Sequence, residues 1–183
     1  MRRRGGKRET IDDMRVTRSF AFTDLCGFTR YTDAHGDEQA VAVLGEFRSL
    51  VRDVGQEFGV RVAKWLGDGA MFVSIEPWHL VAMIVSLQAR VSGWGIALPL
   101  RTGAAHGEVI LFEGDDYIGG PVNLAARLSD IAGPGDVLVA ADLVPHAPEW
   151  ARARMVGSWS IPGFVRPVEV ASLTASTTPT LAH

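Results

Sequence analysis

Two apolar segments flank Gly67-Asp68-Gly69 in the sequence VRVAKWLGDGAMFVSI, which runs from Val60 to Ile75. A short Asp-Gly turn between two apolar runs is typical of a β-hairpin, because these residues tolerate the backbone conformation of a tight turn. The segment therefore predicts strands near 60–66 and 70–75. A hairpin alone does not explain why Lys64 and Asp68 interrupt an otherwise apolar stretch.

The segments around this hairpin alternate between strand and helix patterns. Strands are indicated by apolar residues at every second position, and helices by apolar residues three or four apart. The predicted elements are a strand over 15–25, a short helix after Gly27, a helix over 37–58, the hairpin, a helix from Pro77, one kinked strand or two strands over 98–114, a helix with Pro121 in its first turn, a strand in DVLVA, and a hairpin near 154–160 and 165–173. This order predicts an α+β fold of the ferredoxin-like or palm-like type, in which helices cover one face of an antiparallel-rich sheet.

Length and composition predict one domain with a flexible segment at each end. The chain has 183 residues, of which 47% are apolar and 21% charged. We expect a flexible basic arm over 1–14, a domain over 15–173 and a flexible tail over 174–183. A net charge of −3 gives no reason to expect a nucleic-acid partner, and no apolar run is long enough to span a membrane. The single cysteine, Cys26, fits a reducing compartment, so we expect a cytoplasmic protein.

Two aspartates are candidate metal ligands. Asp24 continues the strand phase of Phe20 and Phe22, and Asp68 lies at the tip of the hairpin. If the two strands are neighbours, both carboxylates reach one side of the sheet edge, where they suit Mg²⁺ or Mn²⁺. Taken alone, each residue is explained better as a turn residue or a helix cap than as a metal ligand.

Two further segments offer groups that bind phosphate. Gly27, Phe28 and Thr29 lead into a helix, and their backbone N–H groups form a candidate cradle for a polyphosphate. In DDYIGGPVNLAAR, Asn123 and Arg127 are four residues apart and project from one helix face. They suit a reacting phosphoryl group, or they belong to an exposed polar stripe.

Four motifs, FTDLCGFT, KWLGDG, RTGAAHGEV and DYIGGPVNLAAR, occur in this order and together resemble the catalytic domain of class III adenylate cyclases, a class of nucleotidyl cyclases. The resemblance extends from about Thr17 to Leu173. It implies the ferredoxin-like fold and the conversion of ATP into 3′,5′-cyclic AMP and pyrophosphate. It also implies two divalent cations, Mg²⁺ or Mn²⁺, and a homodimer whose active sites are shared between the subunits.

The resemblance further implies a role for each matched residue. Asp24 and Asp68 would bind the metal ions, and Lys64 and Asp116 would bind the adenine. Arg101 and the Gly27–Thr29 segment would contact the phosphates. Asn123 would orient the ribose, and Arg127 would stabilise charge on the α-phosphate. The position of Asp116 follows from counting back from Asn123, and Asp115 is the neighbouring alternative. One position departs from the family pattern: Pro162 stands where a basic residue often contacts the triphosphate, and Arg166 is a possible substitute.

Three alternatives remain open from the sequence. A guanylate cyclase would use the same chemistry with different base-binding residues, whereas Lys64 and Asp116 favour adenine. A non-catalytic nucleotide-binding module would lack metal or transition-state residues, yet all of these positions are filled. A diguanylate cyclase is disfavoured because its acidic signature loop is absent. His35 and His106 are expected to be structural, which leaves deprotonation of the hydroxyl to the metal.

Overall fold

The structure, a computed structural model, describes residues 14–93, 98–114 and 116–176. Residues 1–13 of the predicted arm, residues 177–183 of the predicted tail, and Asp115 lie outside the described residues. The elements are β1 (Arg15–Leu25), α1 (Phe28–His35), α2 (Asp37–Glu57), β2 (Arg61–Leu66), β3 (Gly69–Ser74), α3 (Pro77–Gly93), β4 (Leu100–Phe112), β5 (Asp116–Ile118), α4 (Gly120–Ile131), β6 (Val137–Ala140), a 3₁₀ helix (Ala141–His146), β7 (Ala151–Trp159) and β8 (Val168–Ala175).

In the described part of the chain the strands form one eight-stranded sheet with the order β2-β3-β1-β4-β6-β8-β7, and β5 pairs with β4 beside this path. The pair β4–β6 is parallel and the other pairs are antiparallel. The predicted α+β, antiparallel-rich fold is therefore confirmed. No helix among the residues described has the length and apolar character needed to cross a bilayer.

The central strands are covered on both faces of the sheet. Ala21 packs into a core that includes α2 and α3, whereas its neighbour Phe20 packs against Ala125 of α4. The prediction that helices cover one face is thus wrong for α4. The reason lies in β1 itself, where Phe20 and Ala21 are both fully buried although they point to opposite faces.

The segment over 98–114 forms the single strand β4, which passes through Gly107 at φ 149°, so the first of the two predicted alternatives is confirmed. The strand β5 and the 3₁₀ helix were not predicted, because each is too short to show a clear hydrophobic period.

Close backbone packing fixes α4 against β4. A Cβ atom on Gly103 would lie 2.0 Å from the backbone N of Ser129 and 2.4 Å from the carbonyl O of Ala125. These distances are far below van der Waals contact, so the helix can approach the strand this closely only at a glycine. The position of Asn123 and Arg127 therefore depends on Gly103.

Candidate active site

Asp24 lies near the end of β1, which runs between β3 and β4 in the sheet. It is opposite Gly69 of β3 on one side and Arg101 of β4 on the other. The Arg101 guanidinium donates to Asp24 Oδ2 from Nε at 3.0 Å and from Nη2 at 2.7 Å. The other oxygen, Oδ1, faces the hairpin, because a Cβ atom on Gly69 would lie 3.3 Å from it. Arg101 thereby fixes the orientation of this carboxylate.

Asp68 follows Gly67, which adopts φ +67° in the turn between β2 and β3. Burial raises the pKa of the Asp68 carboxyl, and the charge of nearby Asp24 raises it further. The hydrogen bond to Asp24 raises the pKa of Arg101. The sheet thus brings two carboxylates close enough to repel each other, and a bound cation would relieve this repulsion.

The carboxylate pair fits a magnesium or manganese site that is completed by substrate. Asp24 and Asp68 supply hard oxygen ligands, and Mg²⁺ is commonly held by one or two carboxylates together with water and phosphate. The described residues contain no cluster of three or more His, Cys, Asp or Glu side chains suited to a metal ion. This donor set is therefore unlike that of a closed structural metal site.

A small cleft of about 210 Å³ adjoins Asp24 and Arg101 and is bordered on the α4 side by Asp130. The carbonyl O of Asp130 accepts a hydrogen bond from Arg101 Nη1 at 3.4 Å, and its carboxylate accepts one from Arg127 Nη1 at 3.4 Å. Asp130 was not predicted from the sequence as a site residue. Its spacing of three residues from Arg127 was the available signal, whereas its contact with Arg101 depends on how α4 packs.

The segment after Asp24 forms the helix start that the sequence predicts. Gly27 has φ +82°, and α1 begins at Phe28 without a hydrogen-bonded side-chain cap from the described residues. The first N–H groups of a helix have no acceptor within the helix, so those of the first turn, including Thr29, can donate to an anion.

Lys64 and Asp116 are in contact although their strands are not neighbours in the sheet. The ammonium of Lys64 on β2 forms an ion pair with the carboxylate of Asp116 on β5, and the two side chains are 48% and 53% exposed. Asp115, the neighbouring alternative, lies outside the described residues. The ion pair places a donor and an acceptor side by side at the surface.

The predicted residues fall into three groups. The groups are Asp24, Asp68 and Arg101 at the ends of β1 to β4; Lys64 and Asp116 between β2 and β5; and Asn123 and Arg127 on α4. The two residues of the third group are exposed and lie one turn apart.

The remaining candidates lie elsewhere. Pro162 and Arg166 are exposed in the turn between β7 and β8. His35 Nδ1 is 3.0 Å from the carbonyl O of Tyr31, and His106 Nδ1 is 2.8 Å from the hydroxyl of Ser19. Both histidines thus make contacts of a structural kind.

An arginine that was not predicted from the sequence as a site residue anchors the hairpin tip. Arg48 of α2 donates from Nη2 to the carbonyl O of Gly67 at 2.9 Å, and its guanidinium carbon lies 4.9 Å from the centre of the Trp65 ring. Arg52 lies over the same ring at 5.3 Å. The Arg48 bond restrains the residue that immediately precedes Asp68.

If Asp24 and Asp68 bind Mn²⁺, we expect Arg48→Gln to weaken that binding by about tenfold, because loss of a charged hydrogen bond frees the turn that orients Asp68. Electron paramagnetic resonance of free Mn²⁺ measures this directly. The matched control is Arg52→Gln, which removes a cation from the same ring without touching the Gly67 carbonyl. An equal loss in both variants would contradict the anchoring role.

Comparison with known proteins gives relatives by sequence and by structure. An uncharacterized protein of Mycobacterium bovis is 40% identical over 153 residues, which cover 84% of this chain and 40% of that protein. A pH-sensitive adenylate cyclase of Mycobacterium tuberculosis is 35% identical over 120 residues, or 66% of this chain and 30% of that protein. The crystal structure of the adenylyl cyclase CyaB from P. aeruginosa aligns with a TM-score of 0.78 and 23% identity, covering 89% of this chain and 96% of that one. By sequence and by fold, the chain belongs to the class III nucleotidyl cyclases.

The fold of this cyclase domain does not discriminate between nucleotides. The guanylate cyclase domain of RhGC from Catenaria anguillulae, solved in complex with GTP, aligns with a TM-score of 0.76 and 16% identity, covering 87% of this chain and 97% of that one. No protein-family model matches the chain. The chain spans about 40% of the length of the first curated relatives that it matches.

Proposed function

We propose that this cyclase domain converts ATP into 3′,5′-cyclic AMP and pyrophosphate. The observation that carries the proposal is the Lys64–Asp116 ion pair. It presents a donor on β2 beside an acceptor on β5, the strand that leads into α4. Curated relatives named adenylate cyclase support it at 34–35% identity.

The ion pair has the polarity that adenine requires. The Lys64 ammonium can donate to a ring nitrogen, and the Asp116 carboxylate can accept from the exocyclic amine. Guanine presents a carbonyl oxygen and a ring N–H at the corresponding edge. It would leave both charged groups facing groups of the wrong polarity, which is a strong basis for discrimination.

We propose that each active site is shared by two subunits. Asp24 and Asp68 would come from one subunit, and the base-binding pair and α4 side chains from the second. The exposure of Lys64, Asp116 and Arg127, at 48%, 53% and 55%, supports this arrangement because a second subunit and a nucleotide can still cover them. A two-fold homodimer would then contain two equivalent sites.

Asp24 and Asp68 would hold the two divalent cations, which lower the pKa of the ribose 3′-hydroxyl and neutralise charge on the triphosphate when bound. The other groups act directly on the nucleotide. The N–H groups at the start of α1 bind the terminal phosphates, and Asn123 orients the ribose. Arg127 donates to the α-phosphate while the bond from O3′ to phosphorus forms and the bond to pyrophosphate breaks.

The direct test incubates the purified chain with ATP and Mn²⁺ and measures cyclic AMP and pyrophosphate in equal amounts. A parallel reaction with GTP addresses the guanylate cyclase alternative. Turnover of GTP in preference to ATP would overturn the assignment of the base. Binding of ATP without turnover under all metal conditions would favour the non-catalytic module.

Replacing the base-binding pair should change the nucleotide preference. We expect Lys64→Glu combined with Asp116→Cys to lower kcat/KM for ATP by about 100-fold, because the donor and the acceptor for adenine are both lost, while GTP becomes a substrate. The matched control is the exposed ion pair Arg15–Glu108, with side chains 48% and 58% exposed. Arg15→Glu with Glu108→Cys should leave the ratio of ATP to GTP turnover unchanged. Unaltered ATP turnover in the first variant would show that other residues bind the base.

A further inference from the structure

A second cavity, separate from the candidate active site, lies where β1 and β2 begin and β3 ends. Its volume is about 480 Å³. We call it the Arg18–Arg61 cavity, since these two side chains line it together with Glu76, His79 and Tyr117. None of the residues that line it belongs to the three groups described above.

Two arginines line the cavity, and their hydrogen-bond partners among the described residues are neutral oxygens. Arg18 donates from Nη1 to the carbonyl O of Thr17 at 2.8 Å, and Arg61 donates from Nη2 to the hydroxyl of Tyr117 at 3.4 Å. Within the described ranges, neither forms an ion pair with a carboxylate. A guanidinium has five N–H donors, so each arginine retains donors beyond these contacts. Glu76 is the acidic residue in the lining, and with two arginines the lining has a net positive charge.

The start of α3 adds to the positive potential. Pro77 begins this 17-residue helix directly after Glu76, and His79 lies in its first turn. The Ser74 hydroxyl donates to the carbonyl O of Glu76 at 2.8 Å, which holds the chain as it enters the helix. The helix dipole and the N–H groups of the first turn favour an anion at this end.

We propose that the Arg18–Arg61 cavity binds a small phosphate-bearing molecule. A guanidinium matches the geometry of phosphate oxygens, and a helix start reinforces the preference for an anion. The volume exceeds what a phosphate group alone fills and lies in the range of ligand sites. The ring of Tyr117 and the side chain of Val73 provide an apolar wall for the rest of the ligand. The proposal does not depend on cyclase activity.

The test titrates the intact protein with inorganic phosphate at constant ionic strength, using isothermal calorimetry and NMR of the His79 ring and the arginine Nε–H groups. Saturable shifts of the His79 and Arg18 signals are expected. The variant Arg18→Gln with Arg61→Gln should weaken phosphate affinity by at least about tenfold, because two charge-assisted contacts are lost. Glycerol 3-phosphate should bind more tightly than inorganic phosphate if the apolar wall contributes.

Two controls separate this site from other sources of phosphate binding. Arg152→Gln with Arg154→Gln removes the same charge from exposed positions on β7 and should change the affinity by less than about twofold. Arg127→Gln tests the proposed active site and should leave the His79 shift intact. If the double Gln variant does not fold, the charge-preserving variant Arg18→Lys with Arg61→Lys is measured in its place. This variant should retain phosphate binding. Wild-type protein without a saturable His79 shift, equal losses in the β7 control, or loss of that shift in Arg127→Gln alone would each overturn the proposal.

Discussion

Mixing Asp24→Asn subunits with Asn123→Ala subunits should restore an activity that neither variant has alone. In the proposed homodimer, each variant alone would lack an essential group in both sites, so we expect about 1% of wild-type turnover or less. Random exchange makes half of the dimers mixed, and one of the two sites in each mixed dimer is intact. The mixture should therefore recover about a quarter of wild-type cyclic AMP formation.

A second mixture controls for non-specific rescue. Asp24 and Asp68 are neighbours within one subunit, so mixing Asp24→Asn with Asp68→Asn leaves every site with one defective carboxylate. This mixture should stay inactive at the same total concentration. Sedimentation under assay conditions verifies that subunits exchange. Recovery in both mixtures, or in neither, would count against an active site that two subunits share.

Replacing Gly103 with alanine should be strongly destabilising. The new Cβ would lie 2.0–2.5 Å from the backbone of α4, at Ala125, Leu128 and Ser129. Backbone cannot move aside as a flexible side chain can, so the helix must shift away from β4. We expect a loss of about 3 kcal/mol or more in the free energy of unfolding, measured by urea denaturation.

The matched control is Gly45→Ala, which lies on the exposed side of α2 and whose added Cβ meets nothing within 4 Å. It should raise the free energy of unfolding by about 0.5–1 kcal/mol, because alanine favours the helix more than glycine does. A Gly103→Ala variant as stable as the wild type would show that α4 can move off β4 at little cost.

The parts of the fold that sequence predicts well are those with a local signal. Alternation identifies β1, and the turn between Val60 and Ile75 identifies the β2–β3 hairpin, so the proximity of Asp24 and Asp68 follows once the strands pair. The face on which α4 packs is a non-local property. It was recoverable in part from β1, because Phe20 and Ala21 are apolar on opposite faces.

Contacts made by side chains from distant elements were not predictable in this way. Arg48 reaches Gly67 from α2, and Arg101 reaches the carbonyl O of Asp130 from β4. Both contacts depend on how a helix is placed against the sheet rather than on spacing along the chain. The individual roles of Lys64 and Asp116 came from the resemblance of their motifs, and the structure adds that the two side chains form an ion pair.

The pairing of β1 with β4 also bears on which cation the proposed site would accept. Arg101 occupies Oδ2 of Asp24 with two hydrogen bonds, which leaves Oδ1 as the oxygen that faces the hairpin. If Asp24 holds a cation, Oδ1 is therefore the oxygen that it would offer. Calcium sites often use bidentate carboxylates and six to eight ligands, whereas smaller octahedral ions accept single oxygens. In the proposed site, an arginine on the adjacent strand would thus favour a small octahedral ion over calcium without contacting it.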